Sequence, residues 1–155
     1  MMQDGLLLQV KYSLGYTGGL VVTIERFNDV RNRFAELIDL RLVEWSDSLA
    51  IMELEITPQH YNRSKVLHGG VISTMIDTVG GYAGLYCERP GQILKALTLS
   101  LTTTFLGQAK DGILRAEGQK IGGGKSVFMS TAQVTNELGE IIAIGQGTYR
   151  YRGTF

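Results

Sequence analysis

Apolar residues recur along the chain in two rhythms, one of about 3.6 residues and one of two, and the changes of rhythm divide it into elements. From Asn28 onward, Val30, Phe34, Leu37, Ile38 and Leu42 fall at helical spacing behind an Asn/Asp cap, which predicts a helix of roughly three turns. "LRLVEW" and "SLAIMELEIT" then alternate apolar and polar positions about a turn at Ser46 to Ser48. Two antiparallel strands are expected there, the second closed by Pro58, which has no amide proton to give a ladder. A polar loop, "PQHYNRSK", leads into a helical stripe of Ile72, Met75, Ile76, Val79, Ala83 and Tyr86. After Pro90-Gly91 the period is two to the end. "ALTLSLTTTFL", "GILRAEGQKI", "KSVFMSTAQVTN" and "EIIAIGQGTYRYR" read as four strands, divided by turn signals at Asp111-Gly112, at glycines 122–124 and from Asn136 to Gly139.

Sequential strands with short turns point to an antiparallel sheet, and the long apolar helix must then cover one of its faces. The expected architecture is α+β, a sheet wrapped about a central helix. Residues 1–26 mix β-branched and aromatic residues with glycines, compatible with a loose hairpin or an appended segment; they read as an N-terminal extension, and residues 27–155 as a single domain.

With 44% hydrophobic and 19% charged residues the chain can bury enough apolar surface to order itself. Fifteen basic residues balance fifteen acidic ones, so no large positive field exists for nucleic acid to answer. Cys87 stands alone and there are two histidines, which excludes an internal disulfide and leaves no ligand set for a structural zinc. A reducing, cytoplasmic setting is the expectation. "MMQDGLLLQV" lacks the basic start and the apolar length of a signal peptide, and no segment reaches the ~18 apolar residues that would span a bilayer.

The chemistry concentrates on the long helix. At helical neighbours of Asp77 stand Gly70, Ser73, Thr74, Gly80, Gly81 and Gly84, none larger than threonine. Each interior glycine costs about 1 kcal/mol against alanine, so the stripe implies that a second backbone or a ligand needs the space. A carboxylate there suits proton transfer or attack on an electrophile. At the helix start, the Gly69 and Gly70 amides have no intrahelical acceptor and the dipole favours negative charge, the material of an oxyanion hole. Eight residues of helical rise, about 12 Å, separate Gly69 from Asp77. One helix cannot bring both to one carbonyl carbon, whereas a second copy antiparallel across a two-fold axis sets Asp77 of one chain beside Gly69 of the other.

The pattern "N-x5-HGG-x6-D", Asn62 to Asp77, followed by small residues, resembles the acyl-CoA thioesterases of the hotdog fold, in particular their phenylacetate-pathway-like branch. The likeness runs over residues 30–151, through "RFAELIDLRLVEW", "ALTLSLTTTFLGQA" and "GEIIAIGQGTYRY". It implies a helix wrapped by a curved antiparallel sheet, homodimers joined through their sheets and pairing into dimers of dimers, and two sites at the interface. By the same resemblance Asp77 is general base or nucleophile and the Gly69 amide donates to the thioester oxygen. His68 helps hold that carbonyl, Asn62 positions water or the acid of the facing subunit, and Thr98 offers a hydroxyl near the acid. Gly70 is a further candidate for substrate binding; the glycine-rich turn at Gly123, with Lys120 or Lys125, would stand beside the pantetheine arm and a CoA phosphate, and Arg63 and Lys65 are candidates for the same phosphates, a solvated turn being the plainer reading. The substrate is the acyl-CoA itself, with no separate cofactor and no metal. Ser64-Lys65 and "FLGQA" depart from the family's usual Gly or Pro in those places.

Plainer roles compete at each position: Asp77 bonded to Ser73 or Thr74, His68 as a helix cap, Asn62 as a turn former, Thr98 as an ordinary strand threonine. "GQKIGGGKS" is not a phosphate loop, because the spacing of Gly118 from Gly124-Lys125 is wrong and strands flank it on both sides. A dehydratase or hydratase of the same fold lacks its "HFPGxP"-like entry here, and a non-catalytic acyl-CoA or acyl-carrier binder would not need Asp77.

Overall fold

The computed structural model describes residues 10–14, 20–24, 33–87 and 94–154. The start of the expected first helix, residues 28–32, and the Pro90-Gly91 break lie outside them. Among the described residues eight strands form one antiparallel sheet: β1 (Val10–Leu14), β2 (Leu20–Ile24), β3 (Arg41–Ser46), β4 (Leu49–Glu55), β5 (Leu94–Phe105), β6 (Ile113–Gly123), β7 (Val127–Thr135) and β8 (Ile141–Thr154). Their spatial order is β1-β2-β3-β4-β6-β7-β8-β5. The helix α1 (Arg33–Leu37) precedes β3, and α2 (Gly69–Ala83) lies between β4 and β5 in the chain and packs on β4 through β8.

Alternation explains the faces. Along β7, Phe128, Ser130, Ala132 and Val134 are buried while Met129, Thr131 and Gln133 are exposed, the period-two pattern of a sheet covered on one side. The buried stripe of α2, Ile72, Met75, Ile76, Val79 and Ala83, meets Met52, Leu54, Leu114, Ala116, Val134, Ile142 and Ala143 from the strands. Each large side chain in that layer contributes about 2 kcal/mol by leaving water. β6 comes close to α2 at Gly118, where a Cβ would stand 2.5 Å from the Val79 carbonyl oxygen. Among the described residues no helix is long and apolar enough to cross a membrane.

The first helix differs from expectation. Instead of continuing through Leu42 it ends at Leu37, and Leu42 belongs to β3. Asp39 adopts φ 54°, the Leu40 amide bonds the Ala35 carbonyl at 2.9 Å and the Asp39 amide bonds that of Glu36 at 3.0 Å. This is a Schellman stop built on aspartate rather than glycine. Phe34 and Leu37 are exposed in consequence, and Ala35 and Leu40 are the residues that turn inward.

Candidate active site

The approach to α2 is built by two histidines. His60, 2% exposed, accepts the Thr57 amide on Nδ1 at 3.0 Å and donates from Nε2 to the Ile38 carbonyl at 3.1 Å, which fixes one neutral tautomer. Its own carbonyl accepts the His68 amide at 2.8 Å, so this buried ring anchors the residue before the double glycine. Locally His60 closes a capping box with Thr57 over the turn Pro58–His60, while its bond to the Ile38 carbonyl joins a segment that no local pattern ties to it. His68 is the N-cap of α2: its Nδ1 accepts the Gly70 amide at 2.8 Å. With Nδ1 accepting, the proton sits on Nε2, leaving an outward N–H donor on an exposed ring. The Gly70 amide is thereby spoken for, whereas the Gly69 amide has no acceptor among the described residues. The ring of Phe105 lies 3.2 Å from where a Gly69 Cβ would stand.

Asn62, Arg63 and Lys65 share the loop ahead of His68. Asn62 Oδ1 accepts the Ser64 amide at 2.8 Å and the Val66 amide at 3.4 Å, so within its own chain it shapes the turn that leads to α2. Arg63 and Lys65 are exposed, and Lys65 has φ 58°. Gly123 and Lys125 sit in the β6–β7 hairpin. Gly123, at φ 142°, backs onto Phe128, and Phe128 in turn lies against Gly84 at the C-cap of α2. Within one chain the two cationic groups therefore stand at opposite ends of the helix.

Asp77 lies two turns into α2, half-buried. Its Oδ1 accepts the Thr98 hydroxyl at 2.8 Å, across from β5. Thr74 donates instead to the Gly70 carbonyl at 2.9 Å, so the acid is held from the sheet and not by its own helix. A second hydroxyl, Tyr149 Oη on β8, donates to the Asp77 main-chain carbonyl at 3.0 Å. Burial, and after it the charge of Asp77, pushes the Tyr149 phenol well above its ordinary range, so it is a donor at any working pH.

The small-residue stripe has a different cause from the one expected. A Cβ on Gly80 would stand 2.5 Å from Tyr149 Oη, one on Gly81 3.5 Å from the same ring, and one on Gly84 2.1 Å from the Phe128 ring. Phe128 and Tyr149 stack with centroids 5.0 Å apart and planes at 17°. Gly80 and Gly84 admit core aromatics of the chain's own sheet, whereas at Gly81 a methyl would make only ordinary contact. The separation of Gly69 from Asp77 stands as the sequence implies, since α2 runs unbroken between them.

A family model described as thioesterase superfamily matches residues 64–143. Human acyl-coenzyme A thioesterase 13 is 28% identical to this chain over 138 residues, covering 85% of this chain and 94% of that protein. The PaaI protein of E. coli superposes with a TM-score of 0.70 at 22% identity, over 80% of this chain and 87% of that one. A thioesterase structure from Haemophilus influenzae does so with a TM-score of 0.70 at 17% identity, over 79% and 85%. The fold is the hotdog, an antiparallel sheet packed on one long helix.

Proposed function

The chain belongs to the thioesterase superfamily, and on that premise we propose that it hydrolyses an acyl-CoA thioester to the free acid and CoA at sites shared between two subunits. The observation that carries the reading is the Thr98–Asp77 hydrogen bond. It turns one carboxylate oxygen toward β5 and leaves Oδ2 without a donor among the described residues, as a reacting carboxylate requires.

In the base form of the mechanism, Asp77 takes a proton from water as the water oxygen bonds to the thioester carbon. Charge then moves onto the carbonyl oxygen, which accepts the Gly69 amide at the start of the partner's α2. The outward Nε2–H of His68 is a second donor to the same oxygen. When the C–S bond breaks, the electron pair leaves with sulfur, and the proton held by Asp77 passes to the thiolate. In the nucleophile form the carboxylate bonds to the acyl carbon as the C–S bond breaks and the thiolate leaves with its electron pair; water then cleaves the resulting anhydride, giving the free acid, the regenerated carboxylate and a proton for the thiolate. Thiolate is a good leaving group, so the parts needed are few.

Sharing between subunits follows from length. Gly69 and Asp77 are about 12 Å apart on one rigid helix, and an antiparallel copy closes that gap. Support comes from β5, a twelve-residue strand that ends the sheet and carries exposed Leu97, Leu99, Leu101 and Phe105. A long apolar edge of this kind is a template for pairing with another chain. The same operation carries the β6–β7 hairpin of one subunit, with Gly123 and Lys125, to the Asn62–Lys65 loop and Gly70 of the other. Arg63, Lys65 and Lys125 would then share the CoA phosphates, and the Asn62 amide group would face the partner's acid.

Release of free thiol from a panel of short, medium, long and aryl acyl-CoAs tests the activity. Asp77→Asn should lower kcat/KM by about 1,000-fold with the assembly unchanged by sedimentation. Turnover equal to the parent's would refute the role given to the acid.

A further inference from the structure

Asp77 is held twice by hydroxyls, once on its carboxylate by Thr98 and once on its main-chain carbonyl by Tyr149. Thr98 and Tyr149 are direct cross-strand partners of β5 and β8, so a single register pair delivers both. The register shifts immediately after that pair, between Thr98 and Ser100, and a slip by one residue would turn Thr98 away from the helix. Tyr149 is 2% exposed and stacked on Phe128. Its hydroxyl occupies a slot floored by Gly80 and Gly147, where a Cβ would come within 2.5 and 2.4 Å of it. The position of the phenol is therefore over-determined from three sides. A helical carbonyl already accepts from the amide four residues on, and its second lone pair is free for another donor. That second bond ties one turn of α2 to one residue of β8.

We propose that Tyr149 is a positioning residue: its hydroxyl fixes the height and rotation of the Asp77 turn on the sheet, so that the carboxylate meets Thr98 and faces the reacting carbon. The inference rests on Asp77 being the reacting acid. Two glycines from different elements, Gly80 and Gly147, are kept small to let that hydroxyl in.

The chain supplies its own control. Tyr151, two residues further along β8, donates to the Gly84 carbonyl at 2.9 Å, two turns further along α2. Both tyrosines bind the helix to the same strand, but only Tyr149 binds the turn that carries the acid. If tethering were merely structural, removing either hydroxyl would act alike.

Tyr149→Phe, Tyr151→Phe and Asp77→Asn are compared on hexanoyl-CoA and phenylacetyl-CoA, each with its melting temperature. Tyr149→Phe keeps the ring, its stack and its slot. It should lower kcat about tenfold while KM stays within about twofold, whereas Tyr151→Phe should leave kcat within about twofold even where it lowers the melting temperature as much. As a second readout, Thr98→Val added to Tyr149→Phe should cost less than the product of the two single losses, because both hydroxyls serve one carboxylate. Equal kcat losses in the two tyrosine variants, no loss in Tyr149→Phe, or full multiplicativity with Thr98→Val would each overturn the positioning role. Parent-like activity of Asp77→Asn would instead overturn the reading of the acid, and the inference with it.

Discussion

Gly80 shows how one missing side chain is set by another residue far along the chain. Alanine there should gain about 1 kcal/mol of helix preference, but its methyl would press on Tyr149 Oη at 2.5 Å, and overpacking of a core costs about 1–3 kcal/mol. Gly80→Ala is therefore expected to destabilise by about 1 kcal/mol in urea denaturation. In a Tyr149→Phe background the nearest atom becomes the ring carbon Cζ at 3.3 Å, and the same substitution should be neutral or favourable. An equal cost in both backgrounds would mean that the phenol is not what requires glycine. The sequence made it legible that this face of α2 needs space, because helix-interior glycines are costly. What fills the space was not legible: Phe128 and Tyr149 arrive from two strands near the other end of the chain, and no local pattern ties them to Gly80 or Gly84. The carboxylate and the double glycine could be read at once, since the features that mark them lie on a single helix. Tyr149 could not, since it acts by a bond to distant main chain, and neither could the long-range half of His60's role, its bond to Ile38.

Among the elements, the β3–β4 hairpin turns on Ser48, which takes φ 63°, a left-handed conformation that a serine adopts at a cost of about 1 kcal/mol. Ser48→Gly removes that cost and returns part of it as freedom of the unfolded chain. A net gain of about 0.5 kcal/mol is expected as a higher urea midpoint at constant m-value. A lower midpoint would show that the serine side chain stabilises the turn by more than the backbone strain it bears. The strands from β3 to β8 were readable because alternation is a local property and survives whatever the sheet packs on. The first helix was over-extended for the opposite reason. Leu42 fits a helical period as well as a strand one, and the stop comes from Asp39, a residue that carries no glycine or proline signal. The N-terminal strands β1 and β2 pair as a hairpin from Val10↔Ile24 to Leu14↔Leu20 and join β3 through Val22↔Trp45. The glycine-broken pattern of residues 1–26 admits that arrangement without specifying it.

For the whole molecule, the proposed sharing of sites predicts complementation. Asp77→Ala and Asn62→Ala subunits, each inactive alone, should regain about a quarter of parental activity after exchange, since half the dimers are then mixed and each mixed dimer holds one intact site. Exchange confirmed by mass-tagged subunits with no recovery would count against sites built from two chains. One end of the described sheet is β5, with twelve residues. A two-fold axis through β5, as in the proposed dimer, would consume both copies of this long edge in one event. Growth by strand addition from that edge would then have nowhere to continue. If the proposed dimer pairs β5 with its copy, that seam is self-limiting: a symmetric pairing closes on two chains and offers a third nothing to extend.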